Sequence, residues 1–444
     1  MTRNKHVKQL VRARMEKTGE RYTAARRHVV AEAPPPGGSR AVSPGDWHQP
    51  GTVPGAAALR IMLAAAGVRD PRTGQPFTEA MTFGLAGGIG IGVFGFVYDK
   101  ADFASLFIGG RHLWQDDDAW LRRAAARLGV PIEVHEGTPR ATDAALREIL
   151  ASGRPATAFV EAGLLPHRQM PEATLGGGYH LVTVYAMDGE QVLVGDLAAA
   201  PDAVPLDAFA EARKRIRKNR NRVVALARTN APLDLATATR DALAACVAGL
   251  DGADAIGGAT RNFSLDGLHD LARKIGGSGK DSWAATLPPG RRLWSVLSML
   301  VDFVESRAPG LCRPMFADFL AAVDDIVPGA APLGESYRAL GRRWTGLAEA
   351  ALPRDVPAFG RAWRLGRELV SQRSAGRPEA NDRTADIRRE LAAIGVEMAD
   401  CFPLDAAQYE ALRATLHDRV GEIHQEEMRL QQELRQLLRV TKSG

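Results

Sequence analysis

Residues 179–197, YHLVTVYAMDGEQVLVGDL, leave the backbone few choices. β-Branched and aromatic residues crowd both halves, and Asp188-Gly189 between them is a strong turn signal, so two antiparallel strands are expected. That hairpin constrains the class of the segment around it. A helix is expected from Ala56 to about Ala66, a second over DDAWLRRAAARLG with Asp117 or Asp118 as cap, and a third over ATDAALREILASG, ending at Gly153. VPIEVHEG and PATAFVEA read as strands. Helices followed by antiparallel strands, without βαβ alternation, point to an α+β domain over residues 46–228.

Beyond Arg228 the strand signals nearly vanish. RRLWSVLSMLVDFVES, MFADFLAAVDDIV, ESYRALGRRWTGLAEAAL and AFGRAWRLGRELVSQR carry helical periodicity with aromatic anchors, which predicts an all-α domain over 229–375. After the break SAGRPEANDRT, two helices are expected from about Ala385 to Val440, split by CFPLD. The last is long and densely charged, as in a coiled coil or docking helix, and would offer a route to a homo-oligomer. A chain of 444 residues has room for two domains or three.

Charge is unevenly spread. Residues 1–30 hold nine Lys and Arg against two Glu, so the net +5 comes from a basic arm, and the remainder is slightly acidic. The arm reads as a short helix over 1–32, joined by a Pro/Gly linker, 33–45. Such an arm could meet nucleic acid or an acidic partner; elsewhere nothing suggests nucleic acid. Cys246, Cys312 and Cys401 are far apart and lack CxxC spacing, which disfavours zinc or a disulfide framework and fits a cytoplasmic protein. No signal peptide is expected, because the N-terminus lacks an apolar core. Ala80–Tyr98 has 19 residues without a charge, but six are glycine. It reads as a buried glycine-rich segment, not a membrane span.

Within that segment GIGVFG matches G-x-G-x-x-G without a strand before it or a helix opening in it, so a dinucleotide site is not expected. Glu422, His424 and Glu426 are spread around a helix and read as polar surface; neither metal nor cofactor is expected. His180 and Asp196 are more informative. One opens a strand and the other ends the next, so the carboxylate can orient the imidazole as in a catalytic base pair. A nucleophile would sit at a helix N-terminus, where the dipole favours a thiolate. The helix start at Gly55 is preceded by Pro54, which has neither thiol nor N–H. Nearby WHQPGT offers Gln49 as an oxyanion donor and Thr52 as the nearest hydroxyl. Cys312 reads as core.

The stretches AALRIMLAAAG, TEAMTFGLAGGIGIGVFGFVY and YHLVTVYAMDGEQVLVGD resemble the butirosin biosynthesis protein H family. GLHDLARKI, GLCRPMFADFL and YRALGRRWTGLAEA resemble the helical domain DUF4872 that follows it there. The resemblance implies a papain-like, peptidase C39-like fold for the first domain. It also implies transfer of an aminoacyl group from an acyl carrier protein to an amine of a small molecule, through a cysteine. His180 and Asp196 carry over. Counting back from Ala58-Leu59-Arg60 puts that cysteine on Pro54, with Val53 in place of its histidine. The usual papain-like offset from the oxyanion glutamine is six positions, and His48 stands there; Gln49 is five away.

Two readings remain open. One is acyl transfer from a carrier thioester to an amine without a covalent intermediate, His180 acting as base and Asp196 as its orienter. The other is a catalytically inactive papain-like domain that binds a carrier protein, a peptide or a small molecule.

Overall fold

The computed structural model describes residues 47–110, 117–172, 175–176, 178–253, 255–375 and 380–440. The expected basic arm and its linker lie outside these residues, as does the centre of the SAGRPEANDRT break.

Helix α1 runs from Pro54 to Ala65 and α2 from Glu79 to Leu85. The chain then forms a hairpin of β1 (Gly92–Tyr98) and β2 (Phe103–Gly109). Next come α3 (Asp117–Arg127), β3 (Ile132–His135), α4 (Pro139–Ala151) and β4 (Ala156–Glu161). β5 (Tyr179–Met187) and β6 (Gln191–Gly195) follow, then β7 (Asp202–Pro205), α5 (Leu206–Arg215) and β8 (Val223–Leu226). The architecture is mixed α+β, as expected.

Strands β3 to β8 build one antiparallel sheet in the order β3-β8-β4-β5-β6-β7. Helix α1 covers one face, where Phe159, Leu181 and Val224 join its Leu59 and Met62 in a common core. Helices α4 and α5 cover the other, where Leu146, Ile149 and Phe209 meet Val160, Val182 and Val194. With both faces buried, β5 reads as a continuous apolar run instead of an alternating one. The expected hairpin turn forms, with a refinement. Asp188 heads the turn, its Oδ1 accepting from the N–H groups of Glu190 and Gln191 at 2.7 Å.

The helical part comprises α6 (Leu235–Leu250), α7 (Asp266–Gly276), α8 (Trp283–Thr286), α9 (Arg291–Val301) and α10 (Arg313–Ala322). It continues with α11 (Ala330–Ala351), α12 (Pro357–Ala375), α13 (Ala380–Asp400) and α14 (Ala406–Val440). The change from mixed to helical structure falls between β8 and α6, yet one apolar core runs from α1 to α14. α14 lays Tyr409, Leu416, Ile423 and Leu430 onto α7, α11 and α6 of its own chain. Its apolar stripe is therefore used internally.

The glycine-rich segment departs from the expectation that all of it is buried. Gly84 presses α2 against α10 so closely that a Cβ would lie 2.1 Å from Phe319 Cγ, and Ile89 and Ile91 are buried. The chain then turns outward, leaving Phe96, Val97 and Tyr98 exposed on β1. Phe94 stacks on Phe107 across the hairpin at 4.6 Å. No helix among the described residues is long and apolar enough to cross a membrane.

Candidate functional site

Pro54 is the first helical residue of α1 and Val53 its extended N-cap, two residues earlier than the expected start. Proline suits that position because its φ is pre-set and its missing N–H would have no helical partner. The two preceding N–H groups, of Thr52 and Val53, donate to Glu79 Oε1 at 2.8 and 2.7 Å. Glu79 opens α2, where the Thr78 hydroxyl caps the helix by accepting from Met81 N–H. Burial raises the Glu79 carboxyl above its usual range, while the N–H groups of Val53 and Thr52 and the charge of Arg60 oppose the rise. Arg60, buried on α1, donates to the carbonyls of Gln49 and Pro50 at 2.7 and 3.1 Å. The loop before the helix is thus tied down by one cation and one carboxylate.

His48 stands where the sequence offset would put an oxyanion donor. Its Nε2 donates to the Ala198 carbonyl at 2.9 Å, so in the neutral ring Nδ1 accepts from the Tyr185 hydroxyl at 2.8 Å. Burial lowers its pKa, with the Ala198 carbonyl opposing and Arg60 adding to the drop. Gln49 is exposed, and it is its main-chain carbonyl that is engaged. His48, Gln49, Pro54, Leu181, Thr183 and Asp196 are among the residues lining a void of about 10 Å³, room for roughly one water. That void beside Pro54 is far too small for a substrate. Cys312, within electrostatic reach of Glu79, is buried at the N-cap of α10, and burial pushes its thiol up to about 12. It supplies no thiolate.

The structure brings His180 and Asp196 together, His180 Nε2 lying 2.6 Å from Asp196 Oδ1. Two residues that sequence reasoning missed join them from the turn Pro166–Arg168. Arg168 grips the carboxylate with both prongs, Nε to Oδ2 at 2.7 Å and Nη2 to Oδ1 at 2.5 Å. His167 Nε2 donates to Oδ2 at 2.6 Å. Four nitrogens therefore surround one carboxylate. Burial works to raise the pKa of Asp196, but Arg168, His180 and His167 together hold it well below the usual carboxylate range. Burial pushes His180 down to about 4, helped by Arg168 and opposed by Asp196, so the ring is neutral at pH 7.

His180 Nε2 also lies 2.6 Å from Arg168 Nη2. One ring nitrogen serves only one of these neighbours. With a proton it donates to the carboxylate; without one it accepts from the guanidinium.

Strand parity sets His180 apart from its strand neighbours beside Pro54. His180 pairs with Val160, and its face is that of Val182, Val184 and the helices α4 and α5. Leu181 and Thr183, the intervening residues, line the void beside Pro54. His180 thus has the parity of the face opposite α1, whereas Asp196, bonded to it, also lines the void beside Pro54. Among the described residues, no group of three or more His, Cys, Asp or Glu has the arrangement of a metal site.

Residues 55–197 match the family model described as Butirosin biosynthesis protein H, N-terminal. The chain carries a domain of that family. The match takes in α1 from Gly55 onward, the whole hairpin and both His180 and Asp196. It opens one residue after Pro54, leaving Gln49, Thr52 and Pro54 just outside. Glu79, His167 and Arg168 fall inside the butirosin biosynthesis protein H domain. Their only sequence signals are the helix-opening TE of TEAMT and the basic turn PHR, neither of which names a partner. No curated protein matches the chain.

Proposed function

We propose that this butirosin biosynthesis protein H domain, with a papain-like arrangement of helix and sheet, is a binding module without acyl-transfer activity of its own. The observation that carries this reading is the Glu79 carboxylate seated on the N–H groups of Thr52 and Val53. An enzyme of the papain type needs helix-start donors to stabilise a developing oxyanion, and a buried carboxylate there both occupies the donors and repels negative charge. Pro54 adds no nucleophile, and the void beside it holds about one water.

The competing reading, direct transfer from a carrier-protein thioester to an amine, draws support from the neutral state of His180. It also needs the base beside the reacting carbonyl, and Nε2 of that ring is already taken by Asp196 or Arg168. The test is turnover of an acyl-pantetheine thioester with an amine acceptor. No transfer above the uncatalysed rate is expected. Turnover that disappears in His180→Ala would overturn the proposal.

A chemical probe of the helix start gives a second prediction. In a Cys401→Ser background, Pro54→Cys is expected to alkylate no faster than an ordinary thiol, because Glu79 raises the thiol pKa against the pull of the helix dipole. Adding Glu79→Gln is expected to lower that pKa and so raise the thiolate fraction at neutral pH, by up to about tenfold if the pKa falls by one. Iodoacetamide kinetics across pH read both. Equal rates with and without Glu79→Gln would show that the carboxylate does not control this site.

A further inference from the structure

The cluster around Asp196 contains more positive charge than it neutralises. Arg373, near the end of α12, is fixed beside it by its neighbour Ser374, whose carbonyl accepts from Ala199 N–H at 2.9 Å. Its guanidinium is enclosed by protein within electrostatic reach of Arg168, Asp196, Asp302 and Arg388. Among the described residues it makes no hydrogen bond and no ion pair. Arg388, on α13, donates Nε to the Arg168 carbonyl at 3.1 Å, and its terminal nitrogens bond nothing among the described residues.

The nearby carboxylates are spoken for. Asp196 is filled by Arg168, His167 and His180, and Asp302 pairs with Arg307 at 2.6 Å. Asp202 lies 3.8 Å from His167 and within electrostatic reach of Arg168. His167 Nδ1 is buried without a partner. Two guanidinia beside a third, partly withdrawn from water, repel one another and lose part of their hydration; an anion among them offsets both penalties. Both side chains keep some solvent exposure, so an anion has access.

We infer that Arg373 and Arg388, backed by Arg168, form a binding site for a phosphoryl group. The forked, always-charged guanidinium matches the oxygens of phosphate in pairs, where lysine would offer a point charge. The inference deepens the binding reading and rests on it in one respect: His180 and Asp196 hold the arginines in place instead of moving a proton.

The experiment is calorimetric titration of the full chain at neutral pH with inorganic phosphate and, separately, with O-phosphoserine, against sodium acetate as control. Saturable binding of a phosphoryl probe is expected, weakened about tenfold or more by Arg373→Met and by Arg388→Met, a loss of roughly one decade in Kd. Arg342→Met, at an exposed position on α11, is expected to change nothing. Arg373→Lys, which keeps the charge without the fork, is expected to fall between wild type and Arg373→Met; circular dichroism identifies any variant that fails to fold. Tighter binding of inorganic phosphate assigns the site to the free anion, and tighter binding of O-phosphoserine to a phosphate ester. Binding no stronger than acetate, or unchanged in folded Arg373→Met and Arg388→Met, overturns the site while leaving the inert-domain reading intact. Thioester turnover lost in His180→Ala would do the reverse.

Discussion

Glu427→Ala is expected to destabilise the chain by about 3–5 kcal/mol, the usual cost of stripping one partner from a buried ion pair. Glu427 on α14 and Arg313 at the start of α10 are both fully buried, with Oε1 and Nη2 2.7 Å apart. The two are close but poorly aligned for a hydrogen bond, so the attraction is chiefly Coulombic. Trp344 Nε1 of α11 donates to the same oxygen at 3.1 Å, and Arg313 Nη1 donates to the Leu311 carbonyl at 2.8 Å. One carboxylate therefore joins three helices in the middle of the shared core. Removing it leaves a guanidinium in apolar surroundings with no counter-charge. Urea denaturation measures the loss. The double variant Arg313→Met/Glu427→Leu is expected to recover most of it, because apolar replacement removes the charge that needed a partner. A single variant within about 1 kcal/mol of wild type, the range of an exposed pair, would mean that the pair is solvated after all.

That pair illustrates what the sequence did and did not reveal. Helical periodicity and the aromatic anchors made the helices of the second half legible, and Asp188-Gly189 made the hairpin legible, because both signals are local. The contact between His180 and Asp196 followed from the same hairpin. The face on which His180 sits did not. Alternation of polar and apolar residues normally marks the inward side of a strand, but β5 is covered on both sides and carries apolar residues at nearly every position. Nothing in that run signals that Arg168, from a turn before the hairpin, closes on the same carboxylate. Glu79, Arg168 and Arg373 escaped notice for a related reason. Each acts through a partner many residues away, and in an arginine-rich chain no local pattern distinguishes them from solvated surface charge. The short strands β7 and β8 have four residues each and went unread, whereas β3, equally short, registers through the alternation in VPIEVHEG.

Stability is expected to fall as the pH drops from about 6.5 toward 4, with His180 as a main cause. The folded chain holds this ring at about 4 against an ordinary 6.5, chiefly through burial and secondly through Arg168. Between those values the unfolded chain takes up a proton that the folded chain refuses, so acid favours unfolding. The stability is fully present above pH 6.5 and lost on the way to 4, and the difference corresponds to on the order of 3 kcal/mol. His48, also lowered by burial, adds to the slope. Glu79 and Asp202 oppose it, since burial raises their pKa values and the folded chain binds their protons first. Asp196, held well below the usual carboxylate range, adds to the slope at the acid end, where the unfolded chain begins to protonate it first. His180→Gln isolates the histidine, keeping a donor for Asp196 while removing the titration. Its urea midpoint is expected to decline much less between neutral pH and pH 4 than that of wild type. A variant as acid-sensitive as the parent would assign the slope to the other buried groups, and with it would go the picture of His180 as a neutral ring enclosed beside an arginine.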